Sequence, residues 1–179
     1  MPCLHSPRLP SLLWLVLVLL LAAAPAQTGE PAPVGNAGYH VAASEAEKAL
    51  DKVLHLSGKD PNLLEFVLRA PSYKPKADKG YARFFTKRLL DDMAAQEKAA
   101  VQENCNGRYV AGELCGLDYN PLTCAQDEPA GAYRYKTESS AEGKAVVAYK
   151  WPEEKDKAAT FEMVEEGGMW KVDAVRCRP

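Results

Sequence analysis

The stretch ATFEMVEEGGMWKVDAVRC, Ala159 to Cys177, decides the fold. Two runs rich in aromatic and β-branched residues flank Gly167-Gly168, a pair that reads as a hairpin turn. In the last run Trp170, Val172 and Ala174 fall on one face by alternation, and Lys171 and Asp173 on the other. Upstream, AYRYKTES (Ala132 to Ser139) and KAVVAYKW (Lys144 to Trp151) share this texture, set off by the turn-like SAEG and PEEKDK. Connections this short join antiparallel neighbours, so the four runs predict a meander.

The chain before Cys105 has helical period instead. In SEAEKALDKVLHLSG, Ser44 with Glu47 three residues on forms a capping box. Ala46, Leu50, Val53 and Leu54 share a face, and Gly58 reads as the stop. Asp60-Pro61 is a cap followed by proline at the first helical position, opening NLLEFVLRA, with Pro71 and Pro75 beyond it. The longest pattern is Lys79 to Cys105, in which Tyr81, Phe85, Leu89 and Met93 lie on one face, beside Leu90, Ala94 and Ala95. An apolar stripe at this spacing makes core. Helices first and a sheet after them predict an α+β domain, with the N-terminal helices packed on one face of a curved antiparallel sheet.

The ends and the cysteines bound the compartment. Arg8, the uncharged apolar run Leu12 to Ala24 and the small residues Ala24-Pro25-Ala26 read as a secretory signal over 1–26. The run is short for a membrane span, so no span is expected in the mature chain. Cleavage after Ala26 would leave 153 of the 179 residues and, with Arg8 gone, move the formal charge from −2 to −3. That is one domain of ordinary size, and its charge implies no nucleic-acid partner. Residues 27–42 read as a flexible leader that includes His40, and 43–179 as a single domain. Four cysteines then remain, Cys105, Cys115, Cys124 and Cys177, an even number that predicts two disulfides in an exported chain. The expected pairing is Cys105–Cys115 with Cys124–Cys177. The alternative joins Cys115 to Cys124 and Cys105 to Cys177.

Motifs for chemistry are few. The cysteine spacings are too wide for a zinc site, and Asp118, Asn120 and Asp127 do not follow the EF-hand order, so no metal and no cofactor is expected. There is no G-x-S-x-G elbow and no phosphate loop, and His55 sits on the first helix among apolar neighbours. Paired carboxylates remain. Asp118, Asp127, Glu128 and Asp173 would serve as general base only in a site that raises a carboxyl pKa. The plainer reading makes Asp118 and Asp127 caps of the turns around Asn120-Pro121 and Pro129. CGLDYNPLTCAQDEP, Cys115 to Pro129, is then a stapled entry into the sheet.

ARFFTKRLLDDM, DYNPLTCAQDEP, AVVAYKW and GGMWKVDAV together resemble a bacterial envelope family, a domain of unknown function. Its marks are an F-T-x-x-L helix, here Phe85, Thr86 and Leu89; a D-x-x-P…A-Q-D segment, here Asp118, Pro121, Ala125, Gln126 and Asp127; and a W-K-V-D strand, here Trp170 to Asp173. The resemblance runs from about Ser44 onward. It implies a nuclear-transport-factor-two-like (cystatin-like) cone of helices wrapped by a curved sheet. That superfamily includes isomerases, dehydratases and proteins without activity. The expected function is a periplasmic or secreted non-enzymatic binding protein. It would engage an envelope protein, a toxin or a small ligand through the cone mouth or through Asp118, Gln126 and Asp127. The alternative is a small hydrolase or isomerase using Asp118 or Asp127 as general base in the cone pocket.

Overall fold

The computed structural model describes residues 38–69, 80–127, 132–151 and 154–178. The signal expected over 1–26, and with it Pro71, Pro75, Glu128 and Pro129, lies outside them. Helix α1 spans Glu45–Lys59, α2 Pro61–Arg69 and α3 Lys87–Cys105, with a 3-10 turn over Tyr81–Phe84. Four strands follow: β1 Arg134–Ala141, β2 Lys144–Lys150, β3 Ala159–Glu166 and β4 Met169–Cys177. They form an antiparallel meander in the order β1-β2-β3-β4. The protein is α+β, with its helices packed on the sheet.

The capping box of α1 forms as read, Ser44 Oγ accepting from the Glu47 N–H and the Glu47 carboxylate accepting from the Ser44 N–H. Gly58 does not stop the helix, which runs on to Lys59 and is capped by Asp60. The residue before a proline is barred from the helical region, so Pro61 sets the boundary instead. Asp60 serves both helices. Its N–H donates to Leu56 O (2.9 Å), and its Oδ1 accepts from the Asn62 N–H (3.1 Å).

The pattern from Lys79 to Cys105 is not one helix. Phe85 leaves the helical path to pair in parallel with Val172. Thr86 donates its N–H to Val172 O (3.0 Å) and its hydroxyl to Asp173 Oδ1 (2.7 Å), and caps α3 by accepting from the Leu89 N–H (3.2 Å). An edge strand has backbone groups to satisfy, and a threonine next to a long apolar run is a good cap. The face survives the break, since Tyr81, Phe85, Leu89 and Met93 are all buried.

The core lies between helices and sheet. Leu50, Leu54, Leu63, Tyr135, Tyr149 and Phe161 are among its members, none measurably exposed. Each contributes roughly 1.5–3 kcal/mol through burial. Tyr149 stands edge-on to Tyr133 (5.4 Å) and to Phe161 (5.8 Å), so aromatic rings fill the centre. Two bulges bend the sheet, at Glu138 in β1 and at Asp173 in β4, where the register shifts. The second corrects the face read for β4. Val172 pairs with Met163 on the core side, but Ala174 pairs with Glu162 on the outer side and Val175 with Phe161 on the inner. The sheet margin also begins within the segment read as leader. His40 pairs with Tyr135 through backbone bonds of 2.9 and 2.7 Å. Its Nε2 lies 3.1 Å from Glu47 Oε2.

Candidate functional site

Cys105 ends α3, and Asn106 (φ 52°) and Gly107 (φ 81°) turn the chain back in left-handed geometry. The returning segment is stapled by Cys105–Cys115, Cα atoms 5.3 Å apart, as expected from the sequence. A buried carboxylate organises it. Glu97, on the α3 face toward the loop, accepts from Tyr109 Oη at Oε1 (2.6 Å) and from the Leu117 N–H at Oε2 (2.9 Å). Gly116 makes this approach possible, since a Cβ there would overlap the carboxylate. Asn104 Nδ2 donates to Cys115 O (3.2 Å), and the Arg69 guanidinium stacks on the Tyr109 ring at 4.4 Å. Partial burial and the Glu97 carboxylate push the Tyr109 phenol above its usual range, against the pull of Arg69.

This loop is fixed but not covered. Tyr109, Val110 and Leu114 are 53, 49 and 67 % exposed, and they are three of the five large hydrophobic residues exposed among those described. Beside them a groove of about 440 Å³ runs between α2 and α3, lined by Leu68, Arg69, Ala94, Lys98, Val101 and Tyr109. Exposed apolar side chains gathered in one place mark interaction sites. An aromatic beside an arginine is the composition of an anchor in such sites.

The segment from Asp118 to Asp127 answers differently. Cys124–Cys177 is the second staple, again as expected (Cα–Cα 5.5 Å). Between the staples Asn120 builds the turn, its Oδ1 accepting from the N–H groups of Leu122 (2.9 Å) and Thr123 (3.4 Å). Leu122 enters the core, and Tyr149 Oη donates to Thr123 O (2.5 Å). The turn capping read for Asp118 around Asn120-Pro121 thus falls to Asn120, and the turn at Pro129 read for Asp127 lies outside the described residues. Asp118, Gln126 and Asp127 are exposed, and Gln126 Nε2 donates to Asp118 Oδ2 (3.1 Å). Asp127 makes no side-chain hydrogen bond among the described residues.

Carboxylates that are buried serve structure. Burial pushes the Glu47 carboxyl up. Hydrogen bonds from the Ala43 N–H, Thr137, the Ser44 N–H and His40 outweigh it and hold the group below the usual range. Half-buried Asp51 also accepts from buried Tyr135 Oη (2.8 Å), a pair that the sequence did not announce, since 84 residues separate its members. Burial and Asp51 push that phenol far up. His55 Nδ1 donates to Asp51 O (2.9 Å). No buried side-chain nitrogen or oxygen among the described residues lacks a partner. Loop residues Tyr109, Val110 and Leu114 escaped the sequence reading because they follow no period. The available signal was apolar residues inside a short cysteine-closed, glycine-containing segment.

Comparison with protein-family models, with curated proteins and with solved structures finds no match for this chain.

Proposed function

We propose that the protein is an exported, non-enzymatic binding protein. It engages an envelope protein, a toxin or a small ligand through the surface built on residues 105–127. The observation that carries this reading is the concentration of exposed apolar side chains on a loop held rigid by a disulfide, Glu97 and Asn104. A loop already fixed in one shape loses little entropy on binding. Two disulfides support an oxidising compartment, periplasmic or extracellular. Among the described residues no helix is long and apolar enough to cross a membrane. Helices on one side of a sheet bent by two bulges support the distant nuclear-transport-factor-two-like reading. In that reading the cone interior is filled by Tyr135, Tyr149 and Phe161, which moves recognition to the outside.

The test is a photo-reactive residue at position 110 in cells that make the protein. A discrete adduct is expected, and it should disappear in the Cys105→Ser/Cys115→Ser variant. Absence of any adduct, or one indifferent to the staple, sinks the proposal.

A further inference from the structure

The outer face of the sheet carries a second surface, made of other residues. The register places Arg134 directly opposite Lys150, and Lys136 opposite Ala148, on strands β1 and β2. Lys144 faces the same way two rows on, paired with Val164 of β3. Like charges directly opposite each other on a sheet are destabilising. Here neither is offset by a carboxylate among the described residues. Arg134 donates to Tyr133 O, and Lys150 donates to Glu154 O and lies over the Tyr39 ring. Neighbouring acids are already taken, Glu138 by Lys157 and Asp156 by Arg178. The chain as a whole is net negative, so this cluster is a local segregation of charge.

A groove of about 580 Å³ crosses this face, lined by Arg88, Ser139, Lys144, Val146, Glu162 and Asp173, among others. Its middle is neutralised internally. Arg88 bridges Glu162 (2.8 Å) and Asp173 (2.5 Å), and Arg176 pairs with Glu162 from the other side. Glu162 stands in the row between that of Lys136 and Arg176 and that of Lys144.

We propose that this face docks an acidic polypeptide segment. The cations Arg134, Lys136 and Lys150 supply the attraction, with Lys144 shared with Asp173 at the end of the groove. The position of Glu162 selects the class. A nucleic acid or sulfated glycan carries an anion on nearly every unit and would set charges over Glu162. A polypeptide presents carboxylates only where its sequence puts them and straddles that site. Serine hydroxyls and valine side chains in the groove suit peptide groups between the acidic positions.

The experiment is retention of the full mature chain on immobilised poly-L-glutamate. Its arms are heparin and phosphatidylglycerol vesicles. The wild type is expected to bind poly-L-glutamate in a salt-sensitive way and more tightly than either arm. The variant R134Q/K136Q/K144Q/K150Q should bind about tenfold more weakly, four modest charge contacts summing to roughly that factor. A helix-face control on α1, K48Q/K52Q/K59Q, should stay within about twofold, since it changes net charge without touching the sheet. Circular dichroism checks the fold, and the single variants K136Q and K144Q replace the quadruple one if it unfolds. Equal loss in the control, no loss in the sheet variants, or no retention of the wild type overturns the proposal. So does tighter binding to heparin or vesicles.

Discussion

Leu54 in α1 and Leu122 between the staples are both fully buried, yet they are held by different means. Leu54 sits on a helical face whose every third or fourth residue also points inward, so its position is enforced by neighbours doing the same thing. Leu122 has no such period. Asn120 shapes its turn, Tyr149 grips Thr123, and Cys124–Cys177 closes the chain behind it. The helix–sheet interior is thus stabilised by many weak contacts spread over area. The segment 105–127 is stabilised by a few strong ones. Removing a single group should therefore act locally and steeply in the segment, and in the interior in proportion to volume.

The sharpest contrast comes from the interior. Phe161→Ala empties a wholly buried site beside Tyr149, and a loss of about 3–5 kcal/mol is expected by chemical denaturation. A loss under about 1 kcal/mol would mean that the aromatic centre is not close-packed.

The staples come next and differ from each other. Chain entropy assigns about 4 kcal/mol to Cys124–Cys177, which spans 53 residues, and about 2.7 kcal/mol to Cys105–Cys115, which spans 10. Paired serine variants, compared by urea midpoints, should keep that order. Reversal would show that Glu97 and Asn104 depend on the shorter staple more than the geometry suggests.

A smaller effect is set by pH. Glu47 is held below the usual carboxylate range by hydrogen bonds that only the ionised form accepts fully. Its contribution is therefore present above the unfolded-state value, about 4.3, and is lost as pH falls through the folded value below it. Asp173 acts in the same direction, because Thr86 and Arg88 outweigh its burial. Glu47→Gln should flatten the acid limb of the stability–pH curve. An unchanged limb would remove Glu47 from the account of acid stability.

The smallest effect is expected at Asp127. Read as a cap, Asp127→Asn should cost as much as other lost caps, about 1–2 kcal/mol. Exposed and without a side-chain bond among the described residues, it should shift Tm by less than about 2 degrees. Unchanged melting with lost binding or turnover would restore it as a functional residue.

These two regions were unequally legible. The strands and the stripe Tyr81, Phe85, Leu89 and Met93 follow from period, because burial imposes period, and the capping box from the types and spacing of Ser44 and Glu47. Period is blind to a break that keeps the face, which is why Phe85 and Thr86 read as helix although they pair with β4. It is equally blind to a bulge, which moved Ala174 to the outer side. In the segment 105–127 the cysteine count carried most of the information. The choice of Asn120 over Asp118 as turn builder depends on where Leu122 must go, and that is a tertiary matter. The charge cluster Arg134, Lys136 and Lys150 went unread, although Arg134 and Lys136 alternate along β1. What turned it into a surface was the pairing that set Arg134 against Lys150.

Thr86 finds its partner Asp173 87 positions downstream, and Cys124 finds Cys177 53 positions downstream. A ribosome delivers these partners in order, so the first half of the domain must wait for strand β4. If the chain meets an oxidant during that interval, with Cys3 removed in the expected signal, Cys105, Cys115 and Cys124 have only one another to oxidise with. Cys115 and Cys124 are about as close in sequence as the native pair, so oxidant alone traps a share of molecules in the wrong connectivity. Thiol–disulfide exchange has to release them once Cys177 arrives. In that case the yield of native protein should be governed by the supply of an isomerising thiol, more than by the supply of oxidant.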